Sequence, residues 1–333
     1  MKDKILGTLY GQAIGDALGM PSELWNRNKI KDFFGKITTF LDGPYENKVA
    51  RNFTKGQFTD DTAQSLLIID ALNKNHFEPS KKIIADELIE WANATNAFKN
   101  NILGPSSKAA LTAIIQGEDS QFYTKNALTN GSAMRIAPIG TLFSKDQKVE
   151  LVNYVKEISE ATHTSDVAIA GASMIAYAVT LAAEDKNWKE IIEGVLDIHD
   201  IAIKEGEQTF SASIAERLKL AVQFANHFES EEEYSLWLYD VIGCGTSLTE
   251  SVPTALAIAY FCKDPNKCAI FCANIGGDTD TIGAMATAIS GAKYGYSNFK
   301  KLWIETIDKH NSVNLEQYAT TLEKNGSVAK LNL

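Results

Sequence analysis

Along most of this chain apolar positions recur at three- and four-residue spacing, and alternation with period two is nowhere sustained. Between Lys4 and Gly19, Ile5, Leu6, Leu9, Ala13 and Ala17 repeat at helical spacing, while Gly7, Gly11 and Gly15 fall on every fourth residue. Three glycines in one helix cost ~1 kcal/mol each relative to alanine. They are tolerable where a second backbone must approach closely, so the pattern predicts a buried helix in a crowded centre. It ends at Gly19, because Pro21 cannot simply continue it. Asn26 to Gly56 is polar and irregular, with Gly43-Pro44 inside it, and reads as a long loop or flap. Helices are predicted at Gln64 to Leu72, within Pro79 to Phe98, at Lys108 to Gln116, at Lys148 to Ala161 and at Val167 to Ala183. A series of amphipathic helices follows from Trp188 to Leu256, with Gly243 to Thr246 and Thr249 to Pro253 expected as loops lining a cavity. Ala255 to Ala273 reads as apolar and buried, Ala284 to Gly291 as a tightly packed small-residue helix, and Trp303 to His310 and Leu315 to Leu322 as closing helices before a fraying end. The expected fold class is all-α.

Composition narrows this only slightly. The 333 residues suffice for one large domain or two ordinary ones. At 45% hydrophobic and 22% charged residues the chain resembles a soluble globular protein. No run approaches the ~18 to 20 apolar residues of a membrane span, and no signal peptide is expected. Cys244, Cys262, Cys268 and Cys272 lack a histidine at zinc-type spacing and read as buried thiols of a cytoplasmic protein. A net charge of −10 argues against a nucleic-acid groove, which needs a concentrated basic face.

Candidate chemistry lies in two acidic clusters. Ile275-Gly-Gly-Asp-Thr-Asp-Thr-Ile-Gly283 precedes the small-residue helix, and Phe58-Thr-Asp-Asp-Thr-Ala63 precedes Gln64 to Leu72. On a regular helix Asp278 and Asp280 would diverge by roughly 200°. They converge only if the backbone there is not yet helical, which Gly276 and Gly277 permit. Aspartate and threonine at a helix start are also ordinary N-caps. Two such clusters can instead form one oxygen-rich site for a hard divalent cation if the helix ends meet. Asn130-Gly-Ser-Ala-Met-Arg135 is a turn whose backbone N–H groups could face an anion, with Arg135 as counter-charge, or a plain helix start. His163, between two helices, reads equally as a ligand contact or a structural hydrogen bond. Glu23 follows the first helix directly.

Taken in order, Gly11-x-x-x-Gly15-Asp16-Ala-Leu-Gly19-x-Pro21-x-Glu23, Thr59-Asp60-Asp61-Thr62, Asn130 to Arg135, Thr162-His163-Thr164 and Gly276-Gly-Asp-Thr-Asp-Thr281 resemble the motifs of the ADP-ribosylglycohydrolases. The resemblance covers about residue 4 to about residue 296. It implies a single compact domain, 1–333, an orthogonal helical bundle with a central dinuclear site for two Mg²⁺ ions, or Mn²⁺ in their place. By matching position the metal ligands would be Thr59, Asp60, Asp61, Asp278, Asp280 and Thr281, and the catalytic carboxylates Glu23, Asp60, Asp61 and Asp278. Gly131, Ser132, Ala133, Met134, Arg135 and His163 would contact the substrate's diphosphate and ribose. Arginine-specific members carry an aspartate near the segment matching Asn100 to Ser107, and this chain has none there. The expected activity is hydrolysis at the anomeric carbon of ribose, releasing ADP-ribose from a modified protein or small molecule. An N-ribosidase acting on nucleosides or related metabolites, and a catalytically silent binding protein, are the alternatives.

Overall fold

The computed structural model describes residues 1–100 and 102–326. The expected fraying of the last residues therefore falls largely outside the described part. Among the described residues there is no sheet, only three isolated bridges: Trp25 with Gly277, Thr129 with Ser247 and Ser165 with Glu207. The protein is all-α, as the periodicity led one to expect.

The first helix, α1 (Lys2–Gly19), packs along its length against a later one, Thr279–Tyr294. A Cβ at Gly7 would lie 2.2 Å from the Gly291 carbonyl oxygen, at Gly11 2.3 Å from that of Thr287, at Gly15 2.0 Å from that of Gly283, and at Gly19 2.3 Å from that of Thr279. Contact is reciprocal, since a Cβ on Gly283 would lie 2.4 Å from the Gly15 oxygen. The four-residue glycine spacing thus brings two antiparallel helices together backbone to backbone. The C-terminal end of α1, and Glu23 just beyond it, is thereby set against the N-terminal end of its partner.

Between them the chain builds α2 (Arg27–Phe34), α3 (Asp60–Lys74), α4 (Lys81–Ala94), the short α5 (Ala97–Asn100), α6 (Pro105–Ile115), the short α7 (Gln121–Thr124), α8 (Lys148–Ser159), α9 (Asp166–Ala183), α10 (Trp188–Ala202), α11 (Ile214–Phe224), α12 (Glu231–Trp237), α13 (Leu248–Cys262) and α14 (Pro265–Ile275). Then follow the glycine-paired helix α15 (Thr279–Tyr294), α16 (Lys301–His310) and α17 (Leu315–Asn325). Against the sequence expectation that no run approaches a membrane span, helix α9 is long and apolar enough to cross one, yet every one of its 18 residues is buried inside the protein.

Three stretches depart from the sequence expectation. Asn26–Gly56 is not all loop: Asn26 caps α2 by accepting from the Lys29 N–H, and the remainder wraps the centre without regular structure. Ala255 to Ala273 is two helices, because Lys263 takes a left-handed φ of 49° and Asp264 caps a new start by accepting from the Asn266 and Lys267 N–H groups, with Pro265 at its first position. Thr249 to Pro253 is helical despite its proline. Pro253 has no N–H for the Thr249 carbonyl, and Arg217 Nη1 donates to that carbonyl instead, at 2.9 Å.

Candidate active site

Helix α3 starts at Asp60 with Thr59 in the N-cap position, but no side chain of its own caps it. The cap comes from α1. Asp16 Oδ1 accepts from the Thr59 N–H at 2.9 Å, and its Oδ2 accepts from the Thr62 N–H at 3.1 Å and the Thr62 hydroxyl at 2.6 Å. Asp60 and Asp61 are thereby released from capping. At α15 the N-cap residue is Asp278, again with no side-chain cap bond. Gly276 and Gly277 take φ of 91° and 80°, conformations that favour glycine. They place Asp278 outside the helix (φ −85°, ψ 65°) and Asp280 in its first turn, which lets the two carboxylates converge. The ordinary N-cap explanation of the two clusters does not hold here.

Glu23 joins them through backbone pairing. The Leu24 N–H donates to the Gly277 carbonyl at 2.7 Å, and the Gly277 N–H to that of Trp25 at 2.8 Å. Asn47, buried in the wrapping segment, donates from Nδ2 to the Pro21 and Glu23 carbonyls at 3.3 and 2.9 Å. Ligand atoms of Glu23, Asp278 and Asp280 all lie within 4.8 Å of one another, a grouping that can hold a metal ion. The Thr281 side chain reaches both Asp61 and Asp278, joining the two helix starts. Thr59 Oγ1 donates to Asp61 Oδ2 at 3.2 Å, and Asn130 Nδ2 donates to Asp278 Oδ2 at 2.5 Å.

Glu23, Asp60, Asp61, Asp278, Asp280 and Thr281 line one cavity of about 350 Å³. Burial, ahead of mutual repulsion, raises Asp60 to about 7 and pushes Glu23, Asp61 and Asp280 well above the usual carboxylate range, and burial raises Asp278 to about 6 against the hydrogen bonds that stabilise its charge. Such a cluster keeps its charge at neutral pH only beside compensating cations. Asp61 Oδ1 and Asp280 Oδ1 are buried without a hydrogen-bond partner among the described residues. Hard oxygen donors, crowded and unpartnered, fit a hard divalent cation. The N-terminal ends of α3 and α15 add partial positive charge from the same side.

The rest of the cavity wall is Ile102 to Pro105 with Ser107 and Lys108, then Thr129, Asn130, Gly131 and Met134, with the exposed Leu24 and Val49 at its mouth. Of the predicted substrate contacts, Gly131 and Met134 line the cavity. Ser132, Ala133, Arg135 and His163 are buried in the layer behind that wall, where Ser132 Oγ donates to the Ala168 carbonyl at 3.3 Å. A Cβ on Gly131 would lie 2.8 Å from His163 Cε1, so only glycine fits between ring and cavity. Asp16, Asn47 and Gln64 shape the site without having been singled out for a role. Asp16 alone carried a signal, as an acid in the middle of a small, apolar helix.

A model of the ADP-ribosylglycohydrolase family matches residues 1–330. The chain is 43% identical to the Escherichia coli K12 protein YegU, an uncharacterized protein by its description, over 97% of either chain. It is 28% identical to ADP-ribosylhydrolase ARH3 of Gallus gallus, covering 91% of this chain and 88% of that one. A solved structure titled ADP-ribosylglycohydrolase-related protein complex superposes with a TM-score of 0.70 over 98% of both chains at 20% identity, which speaks for the fold.

Proposed function

The chain belongs to the ADP-ribosylglycohydrolase family and is a glycosidic-bond hydrolase, and from that premise we propose that it releases ADP-ribose from an ADP-ribosylated protein or small molecule at a site holding two Mg²⁺ ions. Mn²⁺ would serve in their place. The observation that carries this reading is the convergence of two helix starts, about two hundred residues apart in sequence, with Glu23 on one cavity in which Asp61 Oδ1 and Asp280 Oδ1 are buried without a hydrogen-bond partner among the described residues. Thr59, Asp60, Asp61, Asp278, Asp280 and Thr281 are the residues that would hold the ions. When bound, the ions supply Lewis acidity toward sugar hydroxyls and water.

The chain's own residues do the rest. Hydrolysis at an anomeric carbon passes through an oxocarbenium-like transition state and needs a proton moved at the entering water or the leaving group. Glu23 is assigned that proton. It arrives from outside both helix starts, its main chain is pinned by Gly277 and Asn47, and burial raises its affinity for protons. Asn130 fixes the Asp278 carboxylate, and Gly131 leaves the wall open to a ribose or phosphate. The segment from Ile102 to Ser107 offers no carboxylate to a guanidinium, which supports a leaving group other than arginine. Apolar residues at the mouth favour a second reading, an N-ribosidase whose leaving group is a nucleobase. Four unpaired cysteines suit a reducing compartment, and the cytoplasm is the location we propose.

The test is a panel of serine-linked, arginine-linked and acetyl-ester ADP-ribose substrates beside free nucleosides, with Mg²⁺ and with chelator. ADP-ribose release that needs the metal is expected, and Glu23→Gln should lower kcat by roughly 10²- to 10⁴-fold with the fold intact. Cleavage of nucleosides alone selects the second reading. Metal-dependent ligand binding without any cleavage contradicts both.

A further inference from the structure

Arg135 is among the largest fully buried side chains, at 1% exposure, and its partners are neutral. Nη1 donates to Gln64 Oε1 at 2.9 Å, Nη2 donates to Thr162 Oγ1 at 2.6 Å, and Nε has no partner among the described residues. A guanidinium can only donate. Gln64 must therefore turn its oxygen toward Arg135, which aims Nε2 at Asp60 Oδ2, 2.9 Å away. Thr162 must accept from Arg135, which leaves its one hydrogen for another partner.

Directionality also fixes the imidazole of His163. Thr129 Oγ1 gives its one hydrogen to Ser106 Oγ at 2.9 Å, so its 3.2 Å contact with His163 Nε2 must be donated by the ring. The proton sits on Nε2. Nδ1 of a neutral ring is then bare, and the Thr162 hydroxyl, 2.8 Å away, donates to it. Both bonds would have to be remade for the other tautomer. Burial, and then the charge of Arg135, oppose the imidazolium and lower His163 to about 3. The other groups at the ring (Thr129, Thr162 and Gly131) are uncharged.

We propose that Arg135 is a positioning residue from which two hydrogen-bonded arms run behind the cavity wall, one through Gln64 that sets the Asp60 carboxylate and one through Thr162 that holds His163 as the neutral Nε2–H imidazole. His163 is then a fixed donor supporting Thr129 at the cavity wall, not a general acid or base. Arg135 sets charge and geometry without touching substrate. The inference goes beyond the reaction assigned above and stands without it.

The test uses the full chain with ¹⁵N-labelled histidine, the His163 signals identified by their loss in His163→Gln. Between about pH 5 and 8 the wild-type ring should stay neutral with its proton on Nε2. A second proton taken up in that range, or a proton on Nδ1, overturns the proposal. Thr162→Val should shift the Nδ1 signal while Thr162→Ser keeps it, and identical Nδ1 signals in wild type and Thr162→Val overturn the Thr162 arm. For the other arm, Gln64→Met should weaken Mn²⁺ binding, measured by calorimetry, by roughly 10-fold; unchanged affinity overturns it. If the wild-type protein binds no Mn²⁺, the proposed function fails and the histidine measurement alone decides the inference.

Discussion

Asp16 does for α3 what Thr59 would do in an ordinary helix, and that exchange frees the chemistry. Because a carboxylate from α1 accepts the first N–H groups of α3, the side chains of Asp60 and Asp61 can turn into the cavity. Asp16→Asn keeps the shape but sets an amide NH₂ against a donor at one of the two oxygen positions. It should lower stability by about 1–3 kcal/mol and weaken divalent binding, although Asp16 is not among the proposed ligands. Calorimetric unfolding and Mn²⁺ titration of the same variant check both parts; full Mn²⁺ affinity would show that the cap does not position the cluster. From sequence, the two acidic clusters could be read as one oxygen-rich site or as two N-caps, and Glu23 entered only through the family resemblance. The side chains that aim them were not legible. Asn47, Gln64 and Asn130 act through contacts 24, 4 and 148 positions away, of which only the one within α3 is set by local geometry.

At the level of elements, the pairing of α1 with α15 decides where the helix ends meet. The four-residue glycine spacing announced a close backbone contact but could not name the partner, since Gly283 and Gly291 lie on the far side of the sequence. Helix boundaries were legible where periodicity was strong, as in α9. They failed where the signal was a single residue, at the left-handed Lys263 that divides α13 from α14 and at Pro253, whose lost bond is replaced by Arg217. Gly15→Ala is the sharp test of the pairing. Its Cβ would meet the Gly283 backbone at 2.0 Å, with no flexible side chain to give way. Overpacking of this kind costs about 1–3 kcal/mol or more, and the shift should separate Glu23 from Asp278. Gly104→Ala, whose Cβ meets nothing within 4 Å, serves as the stability control and should change it by less than about 0.5 kcal/mol. Equal thermal stability of the two variants would contradict the account.

For the molecule as a whole, the buried carboxylates link stability to pH. In the metal-free protein Asp16, Asp60 and Asp278 lie at about 6, about 7 and about 6, each raised first by burial. These values exceed the unfolded value of ~3.9, so the folded chain binds protons more tightly than the unfolded one. The stabilisation is complete below the unfolded value and is lost as pH rises through the folded ones. The midpoint of thermal unfolding of the metal-free protein should therefore fall between about pH 5 and 8, and divalent cation should raise it most at the upper end. A midpoint that rises with pH without metal would mean that other groups govern stability. The shared site itself is tested most directly by electron paramagnetic resonance of the Mn²⁺-loaded protein. A spin-coupled pair of ions is expected in the wild type, lost alike in Asp61→Asn on α3 and Asp280→Asn on α15. Two uncoupled ions, or a coupled pair that survives either substitution, would contradict a shared site.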